Sequence, residues 1–123
     1  MSKFMIKSSD SYNDKNYEIV RGELKQSDNW LVYSYKSKLG DCEVQYSPRR
    51  VIVSRKGEVP AVIDIDLDKN TDFFYATKEI RKKFTVVGEN IEKDEKTGKL
   101  EFSYKIYDNG IEINKITISI KNY

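Results

Sequence analysis

The chain has 123 residues, enough for one domain of ordinary size and too few for two that each bury a sizeable core. Its 22 Lys and Arg against 20 Asp and Glu leave a net charge of +2, which does not indicate a dedicated binder of nucleic acid or anionic membranes. Histidine is absent and cysteine occurs once, which excludes Ser-His-Asp and Cys-His pairs, zinc ribbons, His-ligated metals and an intramolecular disulfide. We expect a single domain over residues 1–123, with no catalytic residue, no metal and no cofactor.

The sequence shows no sign of a membrane segment or a leader. The longest uninterrupted apolar runs have three or four residues, against roughly 20 needed to cross a bilayer. The first ten residues contain no apolar stretch of the length found in secretory signals. The lone Cys42 agrees with a reducing compartment and is expected to be a packing residue. These features predict a cytoplasmic protein with no membrane partner.

Short β-branched and aromatic runs recur along the chain, separated by Gly, Asn, Asp and Pro, a pattern typical of an all-β sandwich or barrel. The predicted strands are Phe4–Lys7, Tyr17–Leu24, Trp30–Lys36, Cys42–Ser47, Arg50–Lys56, Val62–Leu67, Asp72–Thr77, Phe84–Gly88, and two more in Leu100–Ile120. Thr77–Lys83 is the one segment expected to form a helical turn.

The clearest single unit is a hairpin near the C-terminus. Apolar and polar residues alternate from Leu100 to Tyr107, and Asn109-Gly110 then provides a turn in which both positions favour positive φ. In the return strand the apolar phase slips by one residue near Asn114 and Lys115. We therefore predict a β-bulge at that point.

The connectors between the predicted strands are short and polar, which favours antiparallel pairing between consecutive strands. A meander of many strands tends to curl and close, because closure removes unpaired edges. The sequence therefore predicts an antiparallel up-and-down β-barrel of about eight to ten strands.

Alternation of side chains assigns several tyrosines to the inner face of this barrel. They share the phase of apolar neighbours on their strands and are Tyr33, Tyr35, Tyr46, Tyr75 and Tyr104. Phenol rings suit either a wet ligand cavity or a core whose hydroxyls reach the barrel ends. Both interpretations stay open at this point.

Two arginines fall in phase with apolar residues. Arg55 shares the face of Val51 and Val53, and Arg21, a weaker case, that of Ile19. A buried arginine requires a carboxylate or phosphate partner. For Arg55 that partner is either the acid group of a ligand or an Asp or Glu of the protein itself.

Two charged clusters are candidates for further sites. Asp64, Asp66 and Asp68 share one face of a strand, which suits either a hard divalent cation or a solvated acidic face that discourages edge pairing. Lysine and arginine are dense at Lys78, Arg81, Lys82 and Lys83. This second cluster is expected to be a solvated basic surface, with a contact to phosphates as the alternative.

The order of several segments resembles the YwiB-like family, a domain of unknown function found in small bacterial proteins. The matching segments are Tyr17-Glu18, Arg21-Gly22-Glu23, Trp30 to Tyr35, Arg55-Lys56-Gly57 and Gly98 to Gly110 with the isoleucine strand that follows. The resemblance implies a calycin-like or lipocalin-like barrel and supplies no catalytic residue.

Three hypotheses for function follow. The first is a non-enzymatic barrel that binds a small amphipathic or acidic metabolite through Arg55 and the inward tyrosines. The second is a protein-interaction module whose barrel is filled by its own side chains and which acts through its surface or an exposed edge strand. The third is an enzyme that uses only carboxylates, tyrosines or lysines.

Overall fold

Ten β-strands form the regular structure of the computed structural model, which describes residues 2–38, 40–57 and 60–122. In chain order they are β1 (Ser2–Asp10), β2 (Lys15–Ser27), β3 (Trp30–Ser37), β4 (Gly40–Ser47), β5 (Arg50–Lys56), β6 (Ala61–Asp66), β7 (Thr71–Ala76), β8 (Arg81–Lys93), β9 (Leu100–Asp108) and β10 (Ile111–Asn122). Within those residues no helix is long and apolar enough to cross a membrane.

All ten strands belong to one antiparallel sheet, in the order β6-β5-β4-β3-β2-β1-β10-β9-β8-β7. Every pair of neighbours is consecutive in the chain except β1 and β10, which join the two ends of the polypeptide. The sheet curls so that its outermost strands, β6 and β7, lie side by side without forming a ladder. The predicted all-β up-and-down barrel is confirmed, as a nearly closed barrel with one seam between β6 and β7.

The core is built from alternate residues of nearly every strand. Its most deeply buried large side chains are Phe4, Tyr33, Phe102, Ile65, Leu100 and Ile120. The ring of Phe4 meets that of Tyr33 edge-on, with centroids 5.5 Å apart, and also contacts Tyr35. Aromatic rings of β1 and β3 therefore meet over the intervening strand β2, in the edge-to-face geometry that such pairs prefer.

The region between β7 and β8 differs from its prediction. Thr77 donates its N–H to the carbonyl of Ile80 at 2.8 Å, and β8 begins at the next residue, Arg81. The helical turn expected over Thr77–Lys83 is therefore wrong. Lys, Arg and Glu favour helices locally, but pairing of Arg81 with Ala76 outweighs that weak preference.

Two β-bulges interrupt the ladders around β9. The one predicted near Asn114 and Lys115 lies slightly earlier, between Glu112 and Asn114. A second, between Gly88 and Asn90, was not predicted. This second bulge restores the inward phase for Ile91, so β8 continues to Lys93, beyond the predicted end of the strand.

Candidate functional site

The predicted tyrosine set occupies several depths within the barrel. Tyr33 and Tyr104 are core residues with 1% and 2% of their surface exposed, while Tyr35 and Tyr46 are half-buried against the core. Tyr75 is 37% exposed at the end of β7, opposite Lys82. The prediction that all five share the interior is therefore wrong for Tyr75, because β7 is an edge strand with a neighbour on one side only.

Burial keeps the inner phenols in their neutral form. It raises the pKa of Tyr33 to about 12, with the charge of Tyr46 acting in the same direction. Burial also raises the pKa of Tyr35, helped by Cys42 and Glu18. The pKa of Tyr104 is raised mainly by burial, against an opposing effect of the Arg55 charge. At neutral pH these hydroxyls are protonated, so none of them is a ready base or nucleophile.

Arg55 lies half-buried on β5, opposite Cys42 of β4 and Ala61 of β6. Its charge acts on the phenol of Tyr104, so two of the predicted site residues lie within electrostatic reach of each other. The side chain is already engaged in an interaction within the protein. The end of the barrel that contains Arg55, called here the Arg55 end, therefore combines a guanidinium with the buried hydroxyl of Tyr104.

Arg21 is exposed on the outer face of β2, opposite Lys3. Its strand neighbour Val20 is buried in the core, whereas Ile19 is more than half exposed. The inward phase assigned to Ile19 and Arg21 is therefore wrong. The error arose because Ile19 and Val20 are adjacent and both apolar, so alternation alone could not identify the inner residue.

The three aspartates of β6 and the turn after it are engaged by protein groups. Arg50 holds Asp64 through two hydrogen bonds of 2.9 and 2.7 Å. Arg49 holds Asp68 in the same way, and these bonds lower the pKa of Asp68 below its usual range. Over residues 2–38, 40–57 and 60–122, no group of three or more acidic or thiol side chains is arranged to hold a metal ion.

The basic cluster divides between two faces. The ammonium of Lys82 lies 2.6 Å from Oδ2 of Asp108 and 5.6 Å from the ring centre of Phe84, at the rim of the barrel. Lys78, Arg81 and Lys83 are exposed and make no ion pair with any other described residue. The cluster is thus one paired lysine and three solvated cations.

Sequence reasoning missed several exposed apolar side chains near these cations. Phe74, Val62 and Ile80 are 68%, 59% and 54% exposed, and they lie on β7, on β6 and in the turn between β7 and β8. The signal was present in Phe73-Phe74, because adjacent residues of a strand point to opposite faces, and one of the two rings must face outward.

Two depressions on the molecule lie over outward-facing side chains. One, of about 510 Å³, covers β2 to β5 and includes Ser34, Ser54 and Lys56. The other, of about 320 Å³, covers β1, β2 and β10 and includes Lys7, Tyr17 and Thr117. Space for a partner is therefore available on the outer surface.

These features define a small antiparallel β-barrel with a side-chain core. The chain belongs to the family described as a domain of unknown function (DUF1934), whose model matches residues 4–120. The crystal structure of YwiB protein from Bacillus subtilis is similar, with a TM-score of 0.76 and 18% identity over 99% of this chain and 91% of that one. A search of curated proteins found no match. The predicted family resemblance is confirmed, and the structural likeness supports the fold.

Proposed function

We propose that this barrel is a non-enzymatic protein-interaction module that binds its partner through its outer surface. The observation that carries the proposal is the occupation of the interior by the protein's own side chains. Tyr33, Phe102 and Tyr104, which could have lined a ligand cavity, are instead core residues. A cytoplasmic location, consistent with the free thiol of Cys42, forms part of the same proposal.

The surface supports this function better than the interior does. Lipocalin-type binding requires a concave, largely apolar cavity of several hundred Å³, whereas the two depressions above lie on the outside of the sheet. Each strand of the seam also carries an exposed apolar side chain, Val62 on β6 and Phe74 on β7. Such residues are typical of surfaces that pack against another protein.

Native mass spectrometry of protein purified without denaturation tests the proposal. We expect the mass of the polypeptide alone, and organic extraction yields no stoichiometric compound. Tyr33→Ala provides the control, because it opens space in the core and should take up an added apolar probe such as benzene when the wild type does not. A stoichiometric small molecule in the wild type would overturn the proposal.

The second candidate is a barrel that binds a small acidic or amphipathic metabolite at the Arg55 end. It is favoured by the half-buried guanidinium of Arg55, whose charge acts on the protonated phenol of Tyr104 and which lies in one cross-strand row with Cys42 and Tyr35. If extraction yields such a compound, Arg55→Ala should weaken its binding at least tenfold, because a charge-assisted hydrogen bond would be lost. Unchanged affinity in Arg55→Ala and Tyr104→Phe would remove these residues from the site.

A further inference from the structure

The free edge of β7 can be located from the hydrogen-bond phase of its ladder with β8. Thr77 and Ile80 form a hydrogen-bonded pair in register with that ladder. Bonded pairs alternate along antiparallel strands, so the backbone groups of Thr71, Phe73 and Tyr75 also point toward β8. Those of Asp72, Phe74 and Ala76 point the other way, into the seam.

The same reasoning locates the free edge of β6. Leu67 donates its N–H to the carbonyl of Arg49, in register with the β5–β6 ladder. The backbone groups of Val62, Asp64 and Asp66 therefore point into the seam. Two contacts confirm this, because the hydroxyl of Thr71 donates to the carbonyl of Asp64, and Gly88 packs closely on the carbonyl of Asp66.

These contacts close the seam only beside the turn that joins β6 to β7. Farther along, the edge-facing backbone groups of Phe74 and Ala76 have no hydrogen-bond partner within the residues that the structure describes. An unpaired strand edge next to exposed apolar side chains is a template for an added strand.

The side chains around this edge specify the chemistry of a partner. On the outer face, Phe74 lies opposite Lys83 and Ala76 lies opposite Arg81. Lys78 adds a third solvated charge in the adjoining turn. The edge thus presents an apolar side chain, backbone donors and acceptors, and three cations to the same incoming segment.

We propose that the edge of β7 at Phe74–Ala76 binds an extended acidic and apolar segment of a partner protein, which adds to β7 as a further strand. This inference rests on the proposed function, since it names the surface through which the module acts. Backbone hydrogen bonds to Phe74 and Ala76 hold the added strand. Carboxylates of that strand, separated from Lys83 and Arg81 by β7, provide selectivity.

A second copy of the chain is a poorer occupant of this edge. Antiparallel pairing of two β7 edges brings Lys78, Arg81 and Lys83 of both copies to the same junction. Like charges close together on a sheet destabilise pairing, and charged residues beside an edge are a common means of preventing self-association. An acidic partner is free of this repulsion.

Selection from a displayed library of random peptides of about 12 residues, long enough for a strand with flanks, tests the inference on the full chain. We expect selected peptides to be rich in Asp and Glu alternating with apolar residues. Their affinity should fall at least tenfold in the double variant Arg81→Glu with Lys83→Glu. The matched control, Lys3→Glu with Lys121→Glu, makes the same charge change on exposed residues of β1 and β10 and should leave affinity within twofold.

A second variant tests the strand addition itself. Ala76→Pro removes an N–H that points into the seam and leaves the bonds to β8 intact, so it should weaken the selected peptides while the melting temperature stays within a few degrees. Chemical shifts in the peptide complex should change most at the amides of Phe74 and Ala76.

Three results would overturn the inference: no enrichment, peptides without acidic bias, or binding that survives the Arg81 and Lys83 double variant. Peptides that bind elsewhere on the outer face would overturn this site and leave the proposed interaction module standing. A small molecule in the interior, seen by native mass spectrometry, would overturn the module, and the library result would still decide whether the edge binds peptides.

Discussion

The barrel has two junctions where its sheet could have remained open, and they differ in structure. Strands β1 and β10 form a continuous ladder from Phe4 opposite Asn122 to Asp10 opposite Ile116. Strands β6 and β7 are neighbours in the chain and in space, yet among the described residues only the Thr71 hydroxyl and the Asp64 carbonyl are bonded across them. The ladder therefore forms between the strands farthest apart in sequence, and the seam between strands joined by a short turn.

The packing on each side explains this difference. Along the β1–β10 junction, the inner row places Ile6 opposite Ile120 and Phe4 within the core. At the seam, the end of β6 packs against β8. The carbonyl of Asp66 lies against Gly88 and does not pair with β7. Burial of a shared apolar row, rather than a short connection, determines which pair of strands closes the barrel.

The largest expected effect contrasts two phenylalanines, one in each region. Phe4→Ala removes a fully buried ring beside Tyr33 and should lower the free energy of unfolding by about 3–5 kcal/mol. Phe74→Ala, on the exposed edge, should change it by no more than about 0.5 kcal/mol. Urea denaturation measures both. Equal losses would show that the Phe74 ring is packed in solution and would contradict an open seam.

Two glycines give a similar contrast in backbone packing. A Cβ at Gly22 would overlap the carbonyl oxygen of Ser34 and would lie 2.8 Å from the ring of Phe4. Gly22→Ala forces backbone to move and should cost about 3 kcal/mol, the upper end of overpacking effects. A Cβ at Gly88 of β8 would lie 3.0 Å from its nearest neighbour, the carbonyl oxygen of Asp66 on β6. Gly88→Ala should therefore cost about 1 kcal/mol. If Gly88→Ala is the more damaging of the two, the seam is more rigid than the paired sheet.

Alkaline pH tests the core that both regions enclose. Because burial raises the folded-state pKa of Tyr33, Tyr35 and Tyr104, the folded protein retains protons that the unfolded chain releases. Their contribution to stability is fully present below the unfolded pKa of about 10 and is lost as pH rises toward the folded values. Stability should therefore fall between pH 10 and 12. Tyr104→Phe should make this fall shallower by up to about 1.4 kcal/mol per pH unit.

The control for that slope is Phe102→Leu, which alters an equally buried side chain without a titrating group. It should lower stability at every pH and leave the slope unchanged. A wild-type stability that stays flat from pH 10 to 12 would contradict the burial of these phenols.

Sequence alone predicted the ten strands and the antiparallel pairing of consecutive strands other than β6 and β7, because alternation and turn residues are local signals. Asn109 and Gly110 both have positive φ, as the predicted hairpin turn requires. The position of the seam could not be predicted, since it depends on Gly88 meeting the backbone of Asp66, a contact between strands that are not neighbours in the sheet.

The same limit applies to the candidate site. Tyr33 and Tyr104 were correctly placed inside, but alternation cannot tell a side chain that lines a cavity from one that fills it, because both have the same phase. Tyr75 was misplaced because its exposure depends on β7 being an edge strand. Whether a strand lies at an edge depends on the pairing of the whole sheet, and the sequence of a single strand does not indicate it.

The smallest predicted effect concerns the hydrogen bond between Thr71 and Asp64, which spans the seam. Thr71→Val keeps the branched shape and removes the hydroxyl that donates to the carbonyl of Asp64, so it should lower stability by about 1 kcal/mol. Thr117→Val, on the outer face of β10, should change stability by less than about 0.5 kcal/mol. Amide exchange adds a local readout, because the Thr71 variant should speed exchange in β6 and β7 and leave β1 and β10 unchanged. If both pairs of strands respond equally, the seam and the terminal ladder unfold as one unit, and the edge of β7 does not open independently of the rest of the barrel.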